Sequence, residues 1–370
     1  MTSSIASFDV VVVGAGAIGT SVAFHLADRG VRCLLLERET VASGSTGRAA
    51  GGIRAQFADE LNVRIMQRSL TAFARFEDEV GDAIGFRRCG YLFLIDDARD
   101  LETFGRSIQR QRRLGVPSRL LAPDEVADLL PGCDSDGLVG AAYCAEDGRA
   151  TPESVAQGYA RAAAARGAAV WQGCALRGID VTGGRITGVD TTRGRVRTDT
   201  VVCAAGTGSP AVAGLADIAL PVRAERHWLF WAPHGRAEVS SLPFTIDFGS
   251  GFHVHDEGSG LIFGGRGGDL AEVAAAAVRR LPSMASVEVA GGWWGDYDLS
   301  PDHNGIVGEA PGPGRFFYAT GFSGHGFMQS PAVGEHLAQR ICGEPVALDL
   351  SALDVDRFAS AAARPEPLIF

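Results

Sequence analysis

The chain contains no lysine: all 34 of its basic residues are arginine. Any cationic side chain a site needs must therefore be a guanidinium or a protonated imidazole. Its seven cysteines, Cys33, Cys89, Cys133, Cys144, Cys174, Cys203 and Cys342, include no CxxC pair. No histidine stands at metal-ligand spacing, so no metal site is expected and the cysteines read as buried reduced thiols. No apolar run reaches the ~18 residues of a membrane helix, and the few polar residues ahead of the first strand are too short for a leader peptide. No membrane is expected as a partner, and the cytoplasm is the expected compartment. The arginines nowhere cluster densely enough to follow a phosphate backbone, and 44 acidic residues outnumber them for a net charge of −10. Nucleic acid is thus not an expected partner. What is present, 370 residues with 46% hydrophobic content and 49 glycines, is enough chain for a large core in one or two domains.

Phe8 to Val13, FDVVVV, has the pattern of a parallel strand buried on both faces. It runs into Gly14-Ala15-Gly16-Ala17-Ile18-Gly19, which satisfies GxGxxG. The spacing of Val22, Ala23, Leu26 and Ala27 predicts a helix over Thr20 to Arg29, closed by Gly30. The next strand, Val31 to Leu36, delivers Glu37 about 20 residues after the glycines. Gly14 permits the tight turn, Gly16 lets main chain approach a pyrophosphate, Gly19 lets helix press on strand, and the helix N-terminus faces the anion. Glu37 is placed to accept hydrogen bonds from the adenosine ribose, and its charge argues against a 2′-phosphate. A dinucleotide is the expected ligand, and NAD and FAD share this fingerprint.

Three further stretches bear on that choice. Ala42 to Phe57, ASGSTGRAAGGIRAQF, is a small-residue segment where an NAD-binding fold would proceed to its next strand. Val201 to Gly208, VVCAAGTG, is a second buried strand ending in small residues, after strand-like runs at Gly188 to Thr192 and Arg195 to Thr198. Gly321 to Glu335, GFSGHGFMQSPAVGE, is a glycine-rich turn whose N–H groups can approach an acceptor closely. A helix predicted from about Ser330, with Pro331 in its first turn, aims its positive end the same way.

With GAGAIG, ERETVASGSTGRAAGGIR, RGAAVWQGCAL, VVCAAGTG, GDYDLSPDHNGIVGE and GFSGHGFMQSPAVGEHLA in that order, the chain resembles the FAD-dependent D-amino-acid oxidase superfamily. The sarcosine oxidase, dimethylglycine dehydrogenase and dye-linked proline dehydrogenase β-subunit branch is the most similar. The resemblance implies an α/β fold: a discontinuous Rossmann-like FAD-binding domain (1–85, 146–220 and 300–370) with an inserted antiparallel-sheet α+β substrate domain (86–145 and 221–299). It implies FAD held by Gly14, Ala15, Gly16, Ala17, Ile18 and Gly19, and by Glu37 and Arg38. Gly44, Ser45, Thr46, Arg48, Ala49, Ala50, Gly51 and Gly52 would surround the pyrophosphate and ribityl chain, and Leu176 the adenine. Ala205, Gly206 and Gly295 would join them. Gly321, Phe322, Ser323, Gly324, His325, Gly326, Phe327 and Met328 would hold the pyrimidine edge of the isoalloxazine, whose charge on reduction preorganised dipoles favour.

On the same resemblance Arg54 falls at the family's carboxylate-binding arginine, and a guanidinium matches a carboxylate with two parallel hydrogen bonds. The alternative is a surface arginine, or one paired with Asp59 or Glu60. His253 and His255 alternate on a strand-like run and so share a face, where either could orient an amine or a carboxylate, or simply be hydrogen-bonded. Tyr297 could hydrogen-bond substrate or pack as an aromatic. The chain departs from the family at three points. Ile262 falls where single-chain sarcosine oxidases carry the lysine that promotes reaction with oxygen, and Met328 where they carry a second carboxylate-binding lysine. Their covalent flavin cysteine falls near Trp294, and no cysteine lies between Cys203 and Cys342. Noncovalent FAD is therefore expected, with oxygen or another electron acceptor.

The implied activity is oxidation of the C–N bond of an amino acid or a secondary amine, such as an N-methyl or cyclic amino acid. Hydride would pass to flavin N5 and an imine would form. Two other readings stay open: the catalytic β-subunit of a heteromeric dehydrogenase, or a non-catalytic FAD-bearing assembly protein. A partner subunit and a homo-oligomer are both compatible with the sequence.

Overall fold

The computed structural model describes residues 5–233, 242–266, 269–360 and 362–369. Strand β1 (Val10–Val13) is buried along its whole length, as four consecutive β-branched side chains with a neighbour on each face require. Helix α1 (Ala17–Asp28) begins three residues earlier than the side-chain spacing predicts, because Ala17, Ile18 and Gly19 of the fingerprint open its first turn behind an N-cap at Gly16. Gly14 at φ +103° makes the turn between them, and a Cβ there would lie 2.4 Å from Ala204 O. Strand β2 (Cys33–Leu36) then pairs in parallel with β1. Helix α2 (Glu60–Ala74) is capped by Asp59, whose carboxylate accepts from Leu61 N.

The chain next crosses to a second sheet with β3 (Tyr91–Ile95). The strand starts directly after Gly90, which takes φ +83° and donates its N–H to Asp147 O at 2.9 Å. Helix Pro152–Ala165 has proline at its first position, and the Thr151 side chain makes no capping hydrogen bond. The chain returns to the first sheet at β4 (Val201–Cys203) and crosses again for β5 (Arg223–Pro233), β6 (Phe244–Asp247), β7 (His253–Glu257), β8 (Gly260–Gly265) and β9 (Gly291–Leu299). It comes back with β10 (Phe316–Thr320) and ends in α3 (Gly326–Cys342) and a tail.

The first sheet runs in the order Ile306–Glu309, β10, β4, β1, β2, Ala169–Trp171 and is parallel except for the first of these strands. The second runs β9, β5, β8, β7, β6, β3, Gly140–Cys144, Arg119–Leu121 and is antiparallel except for the β6–β3 pair. A four-stranded sheet joins Ala6–Ser7, Gly194–Arg197, Arg185–Thr191 and Leu176–Thr182, and a short ladder joins Gly52–Ile53 to Gly148–Arg149. Parallel strands covered by helices on one side of the molecule, and an antiparallel sheet on the other, make this a mixed α/β fold.

Another expected boundary was wrong. Helix α3 starts at Gly326, not near Ser330, and Pro331 lies inside it. Proline there removes the N–H that would serve Phe327 O, and the Ser330 hydroxyl takes its place, donating to Phe327 O at 2.8 Å. The open end of the helix is thereby moved into the glycine turn itself. Ser330→Ala should leave that buried carbonyl without a donor and cost about 1 kcal/mol. Urea unfolding will check it: an unchanged midpoint would mean the hydroxyl is not what lets the helix run through the proline.

Candidate active site

The N-terminal ends of α1 and α3 supply open donors. In α1 the first donor to close an intrahelical bond is Thr20 N, to Gly16 O at 3.0 Å, which leaves the N–H groups of Ile18 and Gly19 free of the helix ladder. Ala17 N instead donates to Thr46 Oγ1 at 3.0 Å, which ties the small-residue segment to the start of α1. Glu37 is fixed at the end of β2: its carboxylate accepts from Ala15 N and Glu39 N, each at 2.9 Å. Leu176 comes close to it through the preceding turn, where Cys174 N donates to Glu37 O at 2.8 Å. Arg38 is exposed beside Glu39.

In α3 the first intrahelical donor is Gln329 N, to His325 O at 3.1 Å, so Gly326, Phe327 and Met328 keep N–H groups for something else. The turn ahead of them is clamped from β9. The half-buried carboxylate of Asp298 accepts from Gly321 N at 2.8 Å, and Asp298 O accepts from Ser323 N at 2.9 Å. Gly321 N–H, expected to be offered to a ligand, is therefore already used. Gly324 sits at φ +89° with Tyr297 so close that a Cβ would lie 2.6 Å from its ring. Gly206 joins this region by accepting from Thr320 Oγ1 at 3.0 Å, directly after Ala205. Gly295 lies against Arg48, Ser45 Oγ donates to Asp296 O at 2.6 Å, and the Trp293 indole donates to Arg48 O at 3.1 Å.

These features fit FAD. Two open helix N-termini that donate, a carboxylate at the end of the second strand that accepts, and a small-residue segment running between them form the hydrogen-bonding set a dinucleotide and a ring that gains negative charge require.

Beside the turn lies a cavity of about 60 Å³ lined by Ala49, Ala50, Gly51, Gly52, Arg54, Tyr91, Phe244, His253, Tyr297, Ser323, Gly324, His325, Phe327, Met328 and Ile369. Arg54 is fully buried. It is neither a surface arginine nor paired as its alternative reading had it, since Asp59 pairs with Arg364 and Glu60 with Arg64. Its guanidinium donates to Gln56 O, to Leu368 O at 2.8 Å and to His325 Nε2 at 3.1 Å, and stacks over Phe57 with its carbon 4.1 Å from the ring centre. No carboxylate forms an ion pair with it among the described residues, and its Nε has no partner. Because arginine donates, His325 must accept at Nε2, which makes it neutral; burial and the Arg54 charge hold it well below the usual histidine range.

His253 lines the cavity, and burial lowers its pKa to about 4. His255 does not reach the cavity: its ring stacks on Phe244 at 4.7 Å, behind the wall. Tyr297 stacks on His227 at 4.0 Å, and burial pushes its phenol up to about 12. Met328 sets a thioether in the wall. Ile262 pairs with His255, two pairs further along than the His253–Gly264 pair. Phe322 is buried against Gly305 and Gly326.

Three parts of the wall carried no signal in the sequence. Tyr91 and Phe244 stack at 4.6 Å, and both lie in strands that read only as apolar. The tail is the third. Glu366, buried, accepts from Ala58 N, Asp59 N and Asn62 Nδ2 at 3.0 to 3.2 Å, and so brings Leu368 O to Arg54 and Ile369 into the cavity. The hydrophilic Arg-Pro-Glu-Pro run of 364–367 gives no hint of it.

The sequence model of the family described as FAD dependent oxidoreductase matches residues 9–340. Mitochondrial sarcosine dehydrogenase of Homo sapiens is 28% identical over 380 residues, which cover 95% of this chain and 41% of that protein. This chain thus spans less than half of that relative's length. Sarcosine oxidase subunit beta of Rhizobium meliloti (strain 1021) is 30% identical, with 95% of this chain and 88% of the relative covered. Among solved structures, L-proline dehydrogenase from P. horikoshii superposes with a TM-score of 0.91 at 30% identity, covering 97% of this chain and 100% of that one.

Burial pushes Asp298 up to about 6, so its anion is stabilised less in the folded chain than in the unfolded one. A raised carboxylate favours folding below its unfolded pKa, and that contribution is lost as pH rises through the folded value. Asp298→Asn should therefore gain stability relative to the native chain as pH rises from about 4 to about 7. Denaturation at several pH values measures the difference, and a gap that stays constant would contradict the assignment.

Proposed function

This chain belongs to the FAD dependent oxidoreductase family, and we propose that within it the chain oxidises the C–N bond of a small amine bearing a carboxylate. The observation that carries this reading is the fully buried Arg54, facing the cavity with no carboxylate bonded to it among the described residues. A guanidinium stays charged when buried, and an anion is its natural complement. Sarcosine and proline, the substrates in the relatives' names, are both small amines with a carboxylate. Met328 in place of a second cation leaves Arg54 to hold that carboxylate by itself. FAD, when bound, supplies the two-electron acceptor.

The residues of the wall orient the amine and exclude water; none is poised to remove a proton at neutral pH. His253 and His325 are weak bases held neutral, and Tyr297 remains a phenol. The amine must reach its neutral form by its own ionisation, after which position and desolvation bring its α-carbon to the acceptor. The 30% identity to a sarcosine oxidase β-subunit, 88% of which is covered, supports a second reading in which this chain works beside a partner subunit. A stable complex isolated on co-expression with neighbouring genes would favour it.

The test is anaerobic titration of the flavin-loaded protein with sarcosine, L-proline, glycine and their carboxylate-free counterparts, following the flavin's visible absorbance. Bleaching by carboxylated amines alone is expected, and bleaching by none would overturn the reading. With the amine that works, the limiting rate should rise with pH along the ionisation of the bound amine. A bell-shaped profile centred near neutrality would instead reveal a side-chain base. Arg54→Met should raise KM by about 100-fold or more, the loss expected when a charged hydrogen-bonded partner is removed, with a smaller change in kcat.

A further inference from the structure

Asp147 is fully buried and stands next to the Arg54 segment without touching Arg54 itself. Its carboxylate accepts from Ala55 N at 2.9 Å and from Gln56 Nε2 at 3.2 Å, the two residues that follow Arg54. Gln56 is held a second time, donating from Nε2 to Tyr91 O at 3.0 Å, and its own carbonyl accepts from the Arg54 guanidinium. The path from Asp147 to Arg54 is therefore one residue long. We infer that Asp147 is the positioning residue that holds Arg54 for a carboxylate and that, as the buried anion beside it, Asp147 grades that grip by its own ionisation. This inference rests on the reading of Arg54 as the carboxylate-binding group.

The charged and titratable groups facing Asp147 are Arg54 from the turn after Gly52–Ile53, Tyr91 from β3, and Cys144 and Tyr143 from the strand Gly140–Cys144. Burial raises the tyrosines and Cys144 away from neutrality and brings Asp147 up to about 7. Asp147 is thus the group of this set that changes charge near neutral pH. Ionised, it offsets the Arg54 charge and weakens the hold on an incoming carboxylate. Protonated, it leaves Arg54 uncompensated and strengthens it. Carboxylate binding near neutral pH must then be accompanied by proton uptake.

The test uses acetate as the probe and the flavin-loaded protein, with acetate affinity taken from the rise in Tm with acetate concentration, from about pH 5.5 to about pH 8.5. In the native protein affinity should weaken by about tenfold across that range, the effect of one unit of coupling. In Asp147→Asn it should stay at the tight, low-pH value throughout. A merely structural role would lower Tm without flattening this slope. An Asp147→Asn profile that follows the native one overturns the inference. Arg54→Met separates the two levels: if it still binds acetate as the native protein does, the carboxylate reading of Arg54 fails first. Should Asp147→Asn not fold, acetate added to the unbuffered native protein at pH 7 must still take up protons, and no uptake would overturn the inference.

Discussion

A guanidinium buried with no carboxylate bonded to it among the described residues is the condition around which this cavity is built. Removing such a charge from water is costly, and that cost is usually met by a carboxylate at hydrogen-bonding distance. Around Arg54 the chain supplies neutral acceptors instead: the carbonyls of Gln56 and Leu368, the imidazole of His325 and the ring face of Phe57. These contacts are neutral, so none of them cancels the guanidinium's charge. An arginine so held keeps its attraction for an anion, which is what a binding site needs and what a structural ion pair would forfeit.

Much of the remaining architecture serves to bring those acceptors together. His325 comes from the turn ahead of α3, Gln56 from the segment that leaves the first sheet, and Leu368 from a tail tied down by Glu366. Asp298, on the edge strand of the second sheet, clamps the same turn through Gly321 and Ser323. The turn thus has two faces. One presents the free N–H groups that open α3, suited to the flavin, and the other presents His325 to the substrate arginine. A shift at either would be felt at the other, because both hang on the same five residues.

How much of this could be read from the chain depended on the range of the interaction. FDVVVVGAGAIG with its downstream glutamate is local, and its strand, turn and helix formed where expected, α1 starting three residues early. The start of α3 was misread because Pro331 is a strong helix-start signal, and nothing in the sequence marks Ser330 as the donor that makes an interior proline tolerable. Arg54 was found through the family resemblance, but its burial and the lack of a bonded carboxylate were not legible. Tyr91, Phe244 and Ile369 line the cavity because two sheets and a tail meet there, a contact between segments more than a hundred residues apart that no periodicity records. Nothing in the sequence marks Asp147 or Asp298 among the other acids; surroundings that raise both carboxyls set them apart.

The most direct measurement is a crystal structure of the reduced, flavin-loaded protein with the carboxylated amine that reduces it. The carboxylate should lie within hydrogen-bonding distance of the Arg54 guanidinium, sharing or displacing the Leu368 carbonyl. An amine bound with its carboxylate elsewhere, and Arg54 still on its three present partners, would contradict the account.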